Sequence, residues 1–293
     1  LEGKAVDLSI FTVLIRGGGD LASGVAWRLH NCGFKVLITE TELPLAVRRK
    51  VSFCEAVFEG STIVEGVKVQ LIGTVKDAYA LWDQGIIPLL VDPQCRCKDD
   101  VCPDVLVDAI MAKKNTGTSI KDAPLVIALG PGFEAGRDAH FVVETKRGHY
   151  LGRVIEKGTA APDSGIPGTV MGIGADRVIR APADGTFKNL RDIGDQVSAG
   201  EVVGHVGDTE VKALIDGVIR GLIRPGLNVS KGLKIGDIDP RGDVDHCFTI
   251  SEKSLAIAGG VLEGILRVFG KSAEQRPSAD SFGHKLTTET RRS

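Results

Sequence analysis

Long hydrophobic runs are missing from this 293-residue sequence, and none reaches the ~18 residues that a membrane-crossing helix needs. No charged-then-apolar segment opens the chain, so a secretory leader is not expected. A surplus of one charge is missing too: 36 Lys and Arg stand against 38 Asp and Glu, a formal net charge of −2. A dedicated nucleic-acid binder would show a basic stripe, so neither nucleic acid nor membrane is expected among the partners. Aromatic residues are scarce at 5%, whereas glycines number 37. That balance suits an α/β core joined to a turn-rich β module. Six cysteines without a leader read as reduced thiols in a cytoplasmic protein, not as a disulfide scaffold.

The best-formed local pattern is "IRGGGDLASGVAWRLHNCGFKVLITE", from Ile15 to Glu40. An apolar run from Ile10 to Ile15 reads as a buried strand. Gly17, Gly19 and Ala22 then fit a G-x-G-x-x-[GA] turn. Asp20 is a candidate N-cap for a helix with Leu21, Val25 and Leu29 on one face, and Gly33 is placed to stop it. A second strand ends at Glu40, close to the ~20-residue offset at which a carboxylate meets a ribose hydroxyl. Such a loop predicts a Rossmann-like unit whose N–H groups and helix N-terminus grip a pyrophosphate. Arg16, Gly17, Gly18, Gly19, Asp20, Ala22 and Glu40 are the candidate residues. Asp20 would repel a phosphate unless a cation such as Arg16 intervened. The alternative is that the glycines only permit close strand-to-helix packing.

Further along, "LPLAVRRKVSFCEAVFEG" reads as helical with Pro44 in its first turn, and "STIVEGVKVQLI" alternates and breaks at Gly66, as a short hairpin or two edge strands would. "KDAYALWDQG" reads as an amphipathic helix. "IIPLLVDP", "DVLVDAIMAKKN" and "PLVIALGPGF" each place an apolar strand before a polar turn. Alternating strands and helices predict a largely parallel sheet with ligands beyond the strand C-terminal ends. That edge nominates Asp92, Asp108, Lys113, Lys114, Asn115, Gly130, Gly132 and Phe133. Cys95, Cys97 and Cys102 form C-x-C-x4-C in one polar loop. They are candidates for a metal site or for thiol exchange, although the spacing matches no structural zinc pattern. Glu144, Arg147, His149 and Arg153 cluster in sequence, with His149 and Glu144 as candidate acid–base residues.

Two segments starting at Ala181 and Ala213, 32 residues apart, align without a gap. Ala181, Asp184, Gly185, Leu190, Gly194, Val197, Ser198, Gly200 and Gly204 all recur in the second copy. The pattern resembles the barrel-sandwich of biotinyl and lipoyl domains. No lysine occupies the hairpin tip, where the sequence is "GDTEV" with Lys212 crowded against the second copy, so neither biotin nor lipoate is expected. Asp239 and Arg241 follow as candidates for a cleft between the halves. The expected fold is thus α/β: a Rossmann-like, mostly parallel sheet (8–160), a barrel-sandwich hybrid (176–250), a C-terminal helix (251–269) and a polar, disordered tail (270–293).

Six stretches, "IRGGGDLASGVAWRLHNCGF", "RRKVSFCEAV", "PDVLVDAIMAKKN", "IALGPGF", "ETKRGHYLGRV" and "GLKIGDIDPRGD", together resemble the YqeB family. The resemblance runs from about Val13 to Phe269 and leaves the cysteine loop unmatched. It implies an accessory protein of the selenium-dependent molybdenum hydroxylase system, with the apo-hydroxylase as partner. The first half is also similar to xanthine dehydrogenase accessory factors, which handle the molybdenum cofactor. The implied ligand of the glycine loop is therefore a molybdopterin-type cofactor or a nucleotide, with Lys113, Asn115 and Gly130–Gly132 along the same edge. NAD(P)-dependent oxidoreductase activity, with Glu40 on the ribose and His149 relaying a proton, is one alternative. A non-enzymatic scaffold that docks a client enzyme is the other.

Overall fold

A computed structural model describes residues 7–165 and 167–270. The first half contains β1 (Thr12–Arg16), β2 (Lys35–Glu40), β3 (Ser61–Val64), β4 (Val67–Ile72), β5 (Ile87–Val91), β6 (Val105–Asp108), β7 (Leu125–Leu129), β8 (Glu134–Ala135), β9 (Phe141–Val143) and β10 (Val154–Ile155). Its helices are α1 (Asp20–Asn31), α2 (Ala56–Glu59), α3 (Lys76–Asp83) and α4 (Lys98–Val101). Nine strands form one sheet in the order β10-β9-β7-β6-β1-β2-β5-β4-β3, while β8 pairs apart with β11 (Gly158–Thr159).

This sheet corrects the expected Rossmann-like fold. It is mixed, with antiparallel pairs at both edges, β3 on β4 and β10 on β9. The helical crossovers of a doubly wound sheet are largely absent. The β5-to-β6 connection has only the single turn α4, and no helix lies between Asp108 and Leu125. The segment after Glu40, expected as one helix, has no regular secondary structure past the buried Pro44 and then folds as short 3-10 turns and α2. Its arginines turn away to the second half of the chain, so its backbone is fixed by tertiary contacts and not by helix propensity.

The cap of α1 also differs by one residue. Gly19 is the N-cap and Asp20 the first helical residue; Gly33 (φ +92°) follows the helix as expected. The face of the sheet under α1 is completed by α6 (Glu252–Phe269), which arrives from the far end of the chain. Ile257, Ala258, Val261 and Ile265 of α6 are buried there with Val25 and Leu29 of α1. The opposite face buries Leu14, Leu37 and Leu106 beneath Cys95, Cys97 and Phe133.

The repeat region forms two four-stranded antiparallel sheets. They are built from β12 (Val178–Arg180), β13 (Gly185–Asn189), β14 (Gln196–Val197), β15 (Val202–Val206), β16 (Thr209–Lys212), β17 (Gly217–Leu222), β18 (Asn228–Val229) and β19 (Lys234–Asp239). One sheet runs β12-β19-β17-β14 and the other β16-β15-β13-β18. Each copy thus lends one short strand to the other copy's sheet, an exchange that follows the 32-residue repeat. Gly185 and Gly217, equivalent in the two copies, adopt φ of +147° and +149°. At Gly217 a Cβ would stand 2.4 Å from the Asp239 carbonyl oxygen, so a side chain is excluded there. After β19 the single turn α5 (Asp245–Phe248) leads into α6. The expected tail lies, except for Gly270, outside the described residues.

Candidate functional site

The parallel strands end in a cleft of about 660 Å³ between the β1–α1 turn, the segment Thr41–Ala46 and Ala109–Met111 after β6. Its position follows from the topology, because β1 is central and its neighbours β2 and β6 both terminate at this edge. Gly17, Gly19, Asp20, Ala22 and Glu40 line it, as does Glu42. The apolar wall is Leu43, Leu45, Ile110 and Met111. Leu43 and Leu45 are exposed, 64% and 50%, and so keep an apolar surface available to a ligand. The N-terminal N–H groups of α1, which have no intrahelical acceptor, open into the same cleft.

The glycine turn itself is closed from within. The Gly17 N–H donates to the Thr39 carbonyl at 2.8 Å, and the Gly18 N–H donates to Glu40 Oε2 at 2.7 Å. The other Glu40 oxygen accepts from the Thr41 N–H at 2.7 Å. The carboxylate expected to meet a ribose therefore sits where a pyrophosphate oxygen would be held. From behind, Cys54 N–H donates to the Gly18 carbonyl at 2.9 Å, and the Ser23 hydroxyl reaches the Gly18 and Gly19 carbonyls. Arg16, the expected counter-cation, points to the other face of the sheet. It is buried against Asp108 at 3.2 Å and against the Thr118 hydroxyl, which itself donates to Asp108 at 2.5 Å. No lysine or arginine lines the cleft among the described residues.

The other edge residues are not gathered there. Lys113 (φ +63°) pairs with Asp163 at 2.7 Å on the surface. Asn115 holds a turn, accepting from the Gly117 and Thr118 N–H groups at 2.8 Å. A Cβ on Gly130 would meet Thr145 Oγ1 at 2.6 Å, and one on Gly132 the Lys114 backbone at 2.6 Å, so both glycines serve close packing. Glu144 is buried and saturated by the Lys146 and Ala161 N–H groups, each at 2.7 Å. His149 stacks edge-on against Tyr150, with Arg153 over the same tyrosine, in a separate polar groove. Glu144 and His149 therefore do not form an acid–base pair.

The cysteine loop divides. Cys95 and Cys97 are buried beneath it, whereas Cys102 is exposed. Hydrogen bonds from Cys97 and Thr39, with the Arg16 charge nearby, outweigh burial and hold the Cys95 thiol below its usual value. The bond to Cys95 and burial push Cys97 the opposite way. Among the described residues no group of three or more His, Cys, Asp or Glu side chains is arranged to hold a metal ion, so Cys95, Cys97 and Cys102 do not form the expected ligand set.

The sequence missed the wall of the cleft. Leu43 and Leu45 lie within the segment read as a helix, Glu42 lies just before it, and Met111 lies in a turn read for its lysines. Their position straight after strands that end at one edge was the available signal.

No family model matches the chain. An Escherichia coli K12 protein, YqeB, described as uncharacterized, is 49% identical over 254 residues, which is 87% of this chain and 47% of the relative. The chain thus spans about half the length of that relative. Among solved structures, a succinylglutamate desuccinylase/aspartoacylase from Rhodobacter sphaeroides is 15% identical, with 80% of this chain and 86% of that one covered at a TM-score of 0.25. An aspartoacylase family protein from Mesorhizobium loti is 12% identical, with 78% and 84% covered at the same TM-score. Likeness at that level carries no inference for this chain.

Proposed function

We propose that this chain, which its match to YqeB supports as a member of the YqeB family, is a cytoplasmic accessory factor in the maturation of selenium-dependent molybdenum hydroxylases. In this reading the cleft holds the organic head of a molybdopterin-type cofactor for delivery to the apo-enzyme. The observation that carries the reading is the chemistry of the cleft wall, which combines the carboxylates Asp20 and Glu42 with the apolar side chains Leu43, Leu45, Ile110 and Met111. A pterin offers amino and ring N–H donors along one edge, which carboxylates accept, and a flat face that apolar side chains cover. The glycine turn does not fit the phosphate end of such a ligand, because Glu40 already occupies the Gly18 N–H. The pterin edge is therefore read by side chains, and the turn serves to position α1 and Glu40.

The test is a fluorescence titration of the full chain with a simple pterin. Saturable binding that weakens about tenfold in Asp20→Asn, a loss of roughly 1.4 kcal/mol, is expected. No saturable binding at millimolar pterin, or equal binding by Asp20→Asn, would overturn the reading. In cells, deletion should leave the hydroxylase without molybdenum or selenium, and normal loading would exclude a maturation role.

A further inference from the structure

Arg48, from the segment after β2, and Arg220, in β17, come from opposite halves of the chain and converge on one atom. Arg48 Nη2 donates to the His246 carbonyl at 2.8 Å, and Arg220 Nε donates to the same oxygen at 3.2 Å. Arg48 Nη2 also reaches the Thr249 carbonyl at 3.2 Å. A shared carbonyl brings two guanidiniums together without neutralising either. Arg220 is 6% exposed, and its Nη atoms have no hydrogen-bond partner among the described residues. The Nε of Arg48 is buried and also unpartnered.

The carboxylates nearby are already engaged. Asp237 is held by both of its oxygens on Arg177 Nη2, at 2.7 and 2.8 Å. Asp239 is held by Arg241 through Nε at 2.9 Å and Nη2 at 2.5 Å, and stands 3.7 Å from Arg220 Nε. Glu252 pairs with Arg147. Lys253, half-buried in the first turn of α6, forms no ion pair with a carboxylate among the described residues; burial, then the Arg147 charge, pushes its pKa down. Asp20 is close enough for its charge to act on both Arg48 and Lys253. Arg48 and Arg220 thus meet with no carboxylate hydrogen-bonded to either among the described residues, and Lys253 follows shortly after the Thr249 carbonyl that Arg48 holds. The N-terminus of α6, an 18-residue helix capped by Ser251, adds its partial positive charge at the same junction.

We propose that this junction binds a phosphate group, with Arg48 and Arg220 as a two-guanidinium clamp and Lys253 as the third cation. Two guanidiniums held only by carbonyl oxygens suit a phosphate dianion, whose oxygens their planar forks match. The site is distinct from the cleft, which none of the three cations lines. The phosphate is either the free ion or the terminal group of a larger ligand.

Calorimetric titration of the full chain with inorganic phosphate at low salt tests this, followed by glycerol phosphate as a phosphomonoester. Saturable phosphate binding is expected, weakened at least tenfold in both Arg220→Gln and Lys253→Gln. Thermal unfolding of each variant without ligand checks its fold. Should Arg220→Gln not fold, Lys253→Gln carries the test, because it removes an unpaired, half-buried charge. Tighter binding of glycerol phosphate identifies the phosphate of a larger ligand, and equal or weaker binding identifies the free ion. No binding at millimolar phosphate, or affinity unchanged in Lys253→Gln, overturns the proposal. Inorganic phosphate contains no pterin, so the outcome does not depend on what the cleft holds.

Discussion

The Ser254 hydroxyl donates to the Asp20 carbonyl at 2.8 Å, tying the first turn of α6 to the first residue of α1. The two helix N-termini lie side by side as a result, and the positive ends of both dipoles face one region of the molecule. The contact is close because Gly24 leaves room for it: a Cβ there would stand 2.8 Å from Ser254 Cβ. The position of α1, whose first residues line the candidate site, is therefore held by a helix far from it in sequence.

Seating of α6 should depend on Gly260. A Cβ at this position would lie 2.1 Å from the Gly152 carbonyl oxygen, backbone against backbone, with no side chain free to yield. Gly260→Ala is expected to cost about 1–3 kcal/mol or more and to lower the melting temperature. Differential scanning calorimetry checks it, and an unchanged transition would show that α6 sits elsewhere.

Gly19 offers the opposite case. Its φ of −68° and ψ of −179° suit any residue, and a Cβ there meets nothing within 4 Å. As N-cap of α1, Gly19→Asp should leave the fold intact and stabilise it by a few tenths of a kcal/mol. The new carboxylate would take up the N–H groups that open into the cleft. Stability should therefore hold or rise while pterin affinity falls, a separation that chemical denaturation and fluorescence titration read together.

Asp239 predicts an acid-labile component of stability. Burial pushes its carboxyl up, but the hydrogen bonds and charge of Arg241, with Arg220, bring it down to about 2. The unfolded group titrates near ~3.9, so the folded state gains about 2 kcal/mol from the charged form above that pH. The gain fades as pH falls from about 4 through 2. Urea unfolding from pH 5 to 2 should show the difference between wild type and Asp239→Asn closing over that interval. A constant difference would contradict the assignment.

The thiols should react in order of exposure. Cys32 and Cys102 are exposed and are expected to alkylate first, while the buried Cys54, Cys95, Cys97 and Cys247 follow more slowly. Within the folded loop Cys95 should label ahead of Cys97, because their mutual hydrogen bond favours the Cys95 thiolate. Peptide mapping by mass spectrometry gives the order, and Cys97 labelling first would reverse the pair.

The strand–turn–helix around Gly17 was legible because it is local: the apolar spacing of α1 and the glycine after it are properties of one short stretch. The hairpin at Glu65–Gly66 was legible for the same reason, with both residues at positive φ. The repeat was legible because the same glycines must hold the same backbone angles twice. What failed were the features fixed at a distance. Residues 43–60 carry a helix-like composition, yet Arg49 Nε donates to the Leu222 carbonyl at 3.1 Å, and that tie across the molecule decides the local path. Whether Glu40 faces a ligand or its own loop depends on a 2.7 Å contact that spacing does not encode. Arg48, Arg220 and Lys253 lie far apart in sequence and share no motif, so only the folded chain brings them together.

If the cleft beside α1 holds a molybdopterin-type cofactor, as proposed, the metal should travel with the chain. The most direct measurement is the molybdenum content of the chain purified anaerobically from cells that make this cofactor, with Gly19→Asp prepared in parallel. Near-stoichiometric molybdenum in the wild type and its loss in Gly19→Asp is the predicted result. A wild-type chain without molybdenum, or a Gly19→Asp chain that retains it, would contradict the claim.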